Sequence, residues 1–298
     1  MTTTATVHTD PARKHDFVFL FDITDGNPNG DPDAAGTPRT DPETMQGLVT
    51  DVAIKRKIRN MVSLLGEGKP GTDIYVQAGI SLNSQHERAY SALGLTEGKD
   101  SVPIARRWMC ETFYDVRMFG AVMSTGKGEN GKDAKTAGRV QGPLQLGFSR
   151  SIHPVLTQEH GITRVTRTRE ADTKETEMGS KHTIPYGLYR GIGHYSAPLA
   201  ARTGVTSDDL TLLWRSFTLM FEHDRASART EMTLRGLHIF THPDPYGTIP
   251  AHKLTDTITI TPDAAQQPTA PIRAFTDYTI TVNHVAIPDD ITLTTLIG

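Results

Sequence analysis

The chain has 298 residues, 37% hydrophobic and 22% charged, a balance that supports a folded globular protein and argues against disorder. Its formal net charge of −3 gives no general support for nucleic-acid binding, so any such activity must come from local clustering of cations. A single cysteine, Cys110, excludes an internal disulfide and a cysteine-based zinc centre within one chain. No apolar run reaches bilayer length, and the polar start lacks the apolar core of a signal peptide. Cytoplasmic placement and no membrane partner are therefore expected.

In chain order, residues 1–15 read as a flexible polar tail and 16–298 as one domain. Phe17–Phe21 is an unbroken apolar run, the pattern of a strand buried on both faces. Asp25 to Asp33 is dense in Gly, Asn, Pro and Asp, residues that turn the chain and tolerate positive φ. Val49–Val62 resumes helical order. Ile54, Ile58, Met61 and Leu65 recur at helical spacing and form one stripe, and Thr50 with Asp51 suits an N-cap and first turn. Lys55, Arg56 and Arg59 fall on the far side, and Lys57 flanks the stripe. Four cations beside a loop rich in backbone N–H groups are suited to phosphates; the same run also fits a merely solvated helix face.

Beyond a break at Gly66–Gly71, the pattern predicts a strand over Ile74–Ile80, a helix over Asn83–Leu93 and a helix over Pro103–Tyr114. Asp115–Met123 reads as extended or mixed, residues 124–138 as a surface loop, and Gln141–Ile152 as a strand with Pro143 at its edge or start. Gly161–Arg169 alternates like a strand, Glu170–Gly179 reads as an exposed tip, and Lys181–Arg190 returns. Together they have the shape of a protruding hairpin. Arg164, Arg167, Arg169, Lys181 and His182 make its base basic. Nearby Glu170, Asp172, Glu175 and Glu177 equally fit a solvated hairpin of mixed charge. Met178 stands at the tip without apolar neighbours, as wedges that insert between bases do. Thr206 to Arg229 is a second helix with Thr206 and Asp209 at capping-box spacing, burying Leu210, Leu213, Trp214, Phe217, Met220 and Phe221. Leu234–Phe240, Thr257–Ile260 and Tyr278–Val282 read as strands. This β-α-β…β-α-β order predicts an α+β fold with a ferredoxin-like, RNA-recognition-type sheet carrying large insertions.

Other motifs fit their chemistry poorly. Gly126–Lys132 has P-loop spacing, but Asp133 stands where Ser or Thr would hold Mg²⁺. Asp25, Asn27, Asn29 and Gly30 match half of a calcium loop, whose twelfth position is Gly36 instead of Glu. Asp22, Asp25, Asp31, Asp33 and Asp41 could gather a divalent metal for phosphodiester cleavage, although Asp-Pro and Asn-Gly pairs serve turns equally well. His238 and His242 on one strand would stand about 13 Å apart, too far for a shared metal. No catalytic residue, metal ligand or cofactor is therefore expected.

Several blocks resemble a known family: Phe19–Asp33, Arg39–Glu43, Gly47–Asn60, Asp115–Gly120, Lys181–Tyr189 and Met220–Arg225. They are similar to the CRISPR Cascade backbone subunit of type I-C, the Cas-seven family in its Csd-two branch, over nearly the whole chain. The resemblance implies a palm of RNA-recognition type, helical finger insertions and a long β-hairpin thumb at about 153–185. It implies subunits stacked head to tail along a CRISPR RNA in a ribonucleoprotein filament for antiviral defence. The thumb would displace bases and the filament would display the guide to a target DNA strand. Implied partners are neighbouring copies, an RNA-processing subunit, and large and small Cascade subunits. By position, Asn27, Asn29 and Gly30 would lie beneath the guide backbone. Lys55, Arg56, Lys57 and Arg59 would neighbour its phosphates, and Arg164, Arg167, Arg169, Met178, Lys181 and His182 would belong to the thumb. A non-catalytic role follows from the resemblance. The alternative is a metal-dependent RNase that cleaves paired target RNA with the loop aspartates.

Overall fold

The computed structural model describes residues 6–124, 135–166, 177–263 and 271–298. The P-loop-like Gly126–Lys132 and the thumb candidates Arg167 and Arg169 lie outside these residues.

Strands β1 (His15–Gly26), β2 (Gly30–Asp31), β3 (Thr37–Pro38) and β4 (Gln46–Val49) lead into helix α1 (Asp51–Leu65). An insertion follows, made of α2 (Leu82–Leu93), α3 (Ser101–Thr112), α4 (Tyr114–Phe119), β5 (Gly120–Met123) and β6 (Gly138–Gln141). Then come β7 (Leu144–Leu146), β8 (Ser149–Pro154), β9 (Gln158–Arg164) and the 19-residue β10 (Glu177–Tyr195). Helices α5 (Ala197–Thr203) and α6 (Ser207–His223) and strand β11 (Glu231–Thr241) follow. The chain closes with α7 (Ala251–Thr255), β12 (Ile258–Pro262), β13 (Tyr278–Val282) and β14 (Thr292–Ile297).

The main sheet is antiparallel in the order β14-β11-β1-β10-β8-β4, with β7 and β9 also paired to β10. The apolar run of β1 is explained by its place at the centre. Phe17, Phe19, Phe21 and Ile23 point into a core shared with α1 and α6, while Val18 and Leu20 point into a second core on the opposite face. Each fully buried Phe contributes roughly 1.5–3 kcal/mol relative to exposure. The rings of Phe17 and Phe19 lie across the register from Gly193 and Gly191, where a Cβ would come within 2.1 Å of them; the glycines make room for the aromatic core. On the far face, Leu254, Ile258, Tyr278 and Ile291 cover Val18, Leu20, Leu188 and Phe240. Both faces of the central strands are thus covered, so bases cannot stack on the sheet itself.

The two principal helices form where their sequence predicts with shifted ends: the first spans Asp51–Leu65, since Val49 closes β4, and the second stops at His223, short of Arg229. Thr50 Oγ accepts from Ala53 N, and Thr206 and Asp209 complete a reciprocal capping box. Other segments differ from expectation. Ile74–Ile80 forms no strand: the Tyr75 and Val76 amides donate to the Asp115 carboxylate, at 2.7 and 3.1 Å, which replaces a strand neighbour. Asp115–Met123 divides into the end of α4 and β5. Gln141–Ile152 breaks into pieces of β6, β7 and β8. At one break Gly142 packs on the Gly120 backbone, where a Cβ would lie 2.2 Å from the Gly120 nitrogen. Residues 6–14, read as tail, pack in place: Trp214 Nε1 donates to the His8 carbonyl at 2.9 Å and Thr9 is buried.

Candidate nucleic-acid interface

The loop after β1 is held by its own asparagines. Asn29 Oδ1 accepts from both the amide and the hydroxyl of Thr50, each at 3.0 Å, which locks the loop to the N-cap of α1. Asn27 Nδ2 donates to the Gly36 carbonyl at 2.8 Å, and its amide donates to Ala228 at 2.7 Å. Its buried Oδ1 has no partner. Gly30 lies so close to Gly36 that a Cβ would come within 2.9 Å of the carbonyl oxygen. These residues therefore shape the shelf. Among these loop residues, only Asn27 has a buried side-chain acceptor without a partner in the described structure.

Three of the five aspartates proposed as a metal cluster, Asp22, Asp31 and Asp41, are engaged elsewhere. Asp31 pairs with Arg39 at 3.2 Å and Asp41 with Arg150 at 2.8 Å; the Arg150 hydrogen bond holds the Asp41 carboxyl below its usual range. Asp22 accepts from Arg235 at 2.9 Å and from Tyr186 at 3.0 Å, and burial pushes its pKa up. Asp25 takes a positive φ of 46°, a turn conformation. Among the described residues no group of three or more His, Cys, Asp or Glu is arranged to hold a metal ion.

The cationic face of α1 differs most from expectation. Lys57 is 5% exposed and pairs with Asp224 beyond the end of α6; it is not a surface cation. Burial alone would raise the Asp224 carboxyl, but the hydrogen bond and charge of Lys57, with Arg229, hold it below its usual value. Arg59 donates to Asp115 at 2.7 Å and lies over the Phe119 ring, its side chain 11% exposed. Lys55 pairs with Asp51 one turn back at 3.0 Å. Arg56 donates to the Val76 carbonyl at 2.9 Å, and among the described residues no carboxylate is paired with it. The spacing that puts cations on one helix thus mostly joins that helix to α6 and to the insertion, and Arg56 alone keeps an unmatched charge. Asp115, which anchors Arg59 and two amides, carries a role that spacing did not reveal. Its signal in the sequence is an acid set, with Arg117, among the apolar and aromatic Phe113, Tyr114, Val116 and Met118.

The protruding hairpin is present. Residues 177–183 of β10 pair with β9, and from Ile184 the same strand pairs with β1. Every residue of β9 is exposed, and Met178 is 87% exposed. Met178, expected at the tip, instead lies within the ladder of β10 opposite Thr163, because Glu177–Gly179 pair as strand; it shares a face with His182, while Lys181, opposite His160, points to the other. Lys181 Nζ donates to the Ser227 carbonyl at 2.5 Å, and His182 is half-buried. Arg164, expected near the base of the hairpin, lies instead at the distal end of β9, opposite Glu177, while the base is formed by Gln158 and Thr183. Asn27 and Lys181 thus both bond to the turn after α6, which brings shelf and arm together at one end of that helix.

No helix among the described residues is long and apolar enough to cross a membrane. The family model for CRISPR-associated protein Cas7 matches residues 13–283. A CRISPR-associated protein Cas7 of Haloferax volcanii is 28% identical over 224 residues, 68% of this chain and 64% of that protein. The chain thus spans less than two thirds of the length of this curated relative. Among solved structures, a pre-nicking CRISPR RNA-guided surveillance complex aligns with a TM-score of 0.47 at 12% identity, covering 76% of this chain and 78% of that chain. A type III-B Cmr-beta complex bound to cognate target RNA aligns with a TM-score of 0.39 at 9% identity, covering 76% and 61%. The match over residues 13–283 assigns the chain to the family: it belongs to CRISPR-associated protein Cas7.

Proposed function

We propose that this chain is a non-catalytic backbone subunit that coats a CRISPR RNA and displays it to a target DNA strand, in a Cascade complex of type I-C. The arm formed by β9 and β10 carries this reading. Seven registered pairs extend it about 20 Å beyond the core sheet. A two-stranded ribbon is marginally stable alone in water, and one built on a continuous core strand is aimed by that core. Such an arm is suited to lie across RNA and reach the next copy, with the exposed Met178 as a wedge between bases. The strand order β11-β1-β10-β8, with α1 and α6 as crossovers, supports a ferredoxin-like, RNA-recognition-type palm. The blocks Phe19–Asp33 and Gly47–Asn60 support the type I-C branch. The ion pairs of Asp31 and Asp41 support a structural role for the loop over RNA cleavage.

Because both sheet faces are covered, RNA would run over the shelf at Asn27–Gly30 and the arm base, held by backbone and shape. The test is purification of the full chain with a CRISPR RNA, read by absorbance at 260 nm and by sizing of the extracted nucleic acid. RNA retained by the wild type, and lost when the arm is shortened to a turn between Pro154 and Thr183, is the expected result. Equal retention without the arm would overturn the reading.

A further inference from the structure

A cleft of about 1080 Å³ opens at the other end of α6, between the insertion and the helices that follow β10. Its walls come from six stretches: the turn after α1, helix α3, Arg117 of α4, strand β6, helix α5 and the first half of α6. In a chain of net charge −3, this cleft is lined by seven Lys or Arg side chains against three carboxylates. One of those carboxylates is consumed within the floor. Asp209 accepts two bonds from Arg117, at 2.6 and 2.9 Å, and the same guanidinium donates to the carbonyls of Cys110 and Gly71. Arg117 is 7% exposed, so a single buried fork fixes three walls of the cleft and leaves five rim cations against two carboxylates, Glu111 and Asp208. Lys69, Arg107, Arg139, Arg202 and Arg215 are exposed around that rim. None of their side chains forms a hydrogen bond or ion pair in the described structure.

We infer that this cleft binds a single-stranded nucleic-acid backbone, a second strand path distinct from the shelf and arm. Like charges held together without partners are costly unless an anion joins them, and guanidinium forks match phosphate oxygens two at a time. Four of the five rim cations are arginines. No aromatic side chain lines the cleft, so bases have no stacking platform, and recognition is of phosphates without base preference. The cleft is a separate site. Shelf and arm bond to Ser227 and Ala228 just beyond the C-terminal end of α6, whereas the cleft uses Thr206 to Arg215. The 17 residues of α6 put about 25 Å between the two ends. Its lone thiol, Cys110, is pushed up to about 11 by burial and stays protonated, so it adds no competing anion.

The test uses the full chain and a fluorescent oligothymidylate of about a dozen nucleotides, titrated by anisotropy over a series of salt concentrations. Wild type is expected to bind with a steep salt dependence. The Arg202→Glu, Arg215→Glu variant should bind at least roughly tenfold more weakly, and its slope of log affinity against log salt should flatten by about 1.4, two phosphates at about 0.7 each for a single strand. Arg107→Glu with Arg139→Glu, on the opposite wall, should do the same, while Arg202→Lys with Arg215→Lys should keep most of the binding. Thermal unfolding reports whether each variant is folded. Unchanged affinity in both folded charge-reversal variants would overturn the inference, as would loss of oligothymidylate binding on removal of the arm instead. Binding of polyglutamate with none of oligothymidylate would also overturn it, making the cleft a seat for an acidic protein. The outcome is separable from the guide reading, because CRISPR RNA retention depends on the arm and oligothymidylate binding on the cleft.

Discussion

Helix α1 and the cleft at the start of α6 hold the two notable groups of cations in this molecule, and they have opposite fates. On α1, four cations fall within five consecutive residues, 55–59. Three of them face carboxylates, and Lys57 and Arg59 are drawn into contacts between elements. In the cleft, Lys69, Arg107, Arg139, Arg202 and Arg215 come from distant parts of the chain and remain without partners. The lesson is that charge density along a sequence does not measure charge available to a ligand. A cation-rich helix that packs between two others must pair what it buries. Cations gathered from separate walls can stay unmatched when each one points into the same solvent-filled gap.

Variants that treat the two groups alike would break this comparison, and the largest effect is expected on α1. Asp224→Ala leaves Lys57 buried without its partner, and a loss of about 3–5 kcal/mol in denaturant unfolding is expected. Replacing the pair together, Lys57→Met with Asp224→Leu, should recover most of that loss, since two apolar groups remove the uncompensated charge. Arg59→Ala, which strips one bond from Asp115 and its cover from Phe119, should cost about 1–3 kcal/mol by the same assay.

The pair also predicts a pH dependence. Asp224 has its folded pKa held below the ordinary carboxylate value of 3.8. The stability it contributes is therefore complete above that value and is lost as the pH falls through the lower folded value. Asp16 acts in the same direction: burial alone would raise it, but hydrogen bonds from His194, His242 and Lys14 hold it low. Thermal midpoints measured from pH 6 downward should fall below about pH 4, and less steeply in Asp224→Asn. A curve of unchanged slope would remove Asp224 from the account.

Smaller effects sharpen the contrast. Lys55→Ala removes a one-turn pair worth about 0.3–0.5 kcal/mol. Arg202→Glu with Arg215→Glu should leave unfolding within about 0.5 kcal/mol of wild type per site while weakening oligothymidylate binding. If the cleft variant loses several kcal/mol instead, its arginines are structural like those of α1, and the distinction between the two groups fails.

Much of the fold was legible because local signals agreed with one another. Thr50 and the stripe Ile54, Ile58, Met61 and Leu65 gave α1, and the Thr206–Asp209 capping box gave α6. The run Phe17–Phe21 gave a strand buried on both faces, and the out-and-back pattern gave the arm. Ile74–Ile80 misled because only Ile74 and Tyr75 are buried while Ala78 and Ile80 are exposed, and the Tyr75 and Val76 amides bond to Asp115, 40 residues away in sequence from Tyr75, and not to another strand. The cations of α1 were placed on the right element but given the wrong availability, since nothing near Lys57 in the sequence announces Asp224.

The sequence by itself determined the principal elements, the projecting ribbon and the family, because those depend on periodicity, capping and contiguous blocks of residues. Only the tertiary structure decided which charges are spent and which remain. That outcome depends on pairs such as Lys57–Asp224 and Arg117–Asp209, whose members meet only when helices from distant parts of the chain pack together. Electrostatic free energy depends on separation and burial in space, and the order of residues along the chain fixes neither.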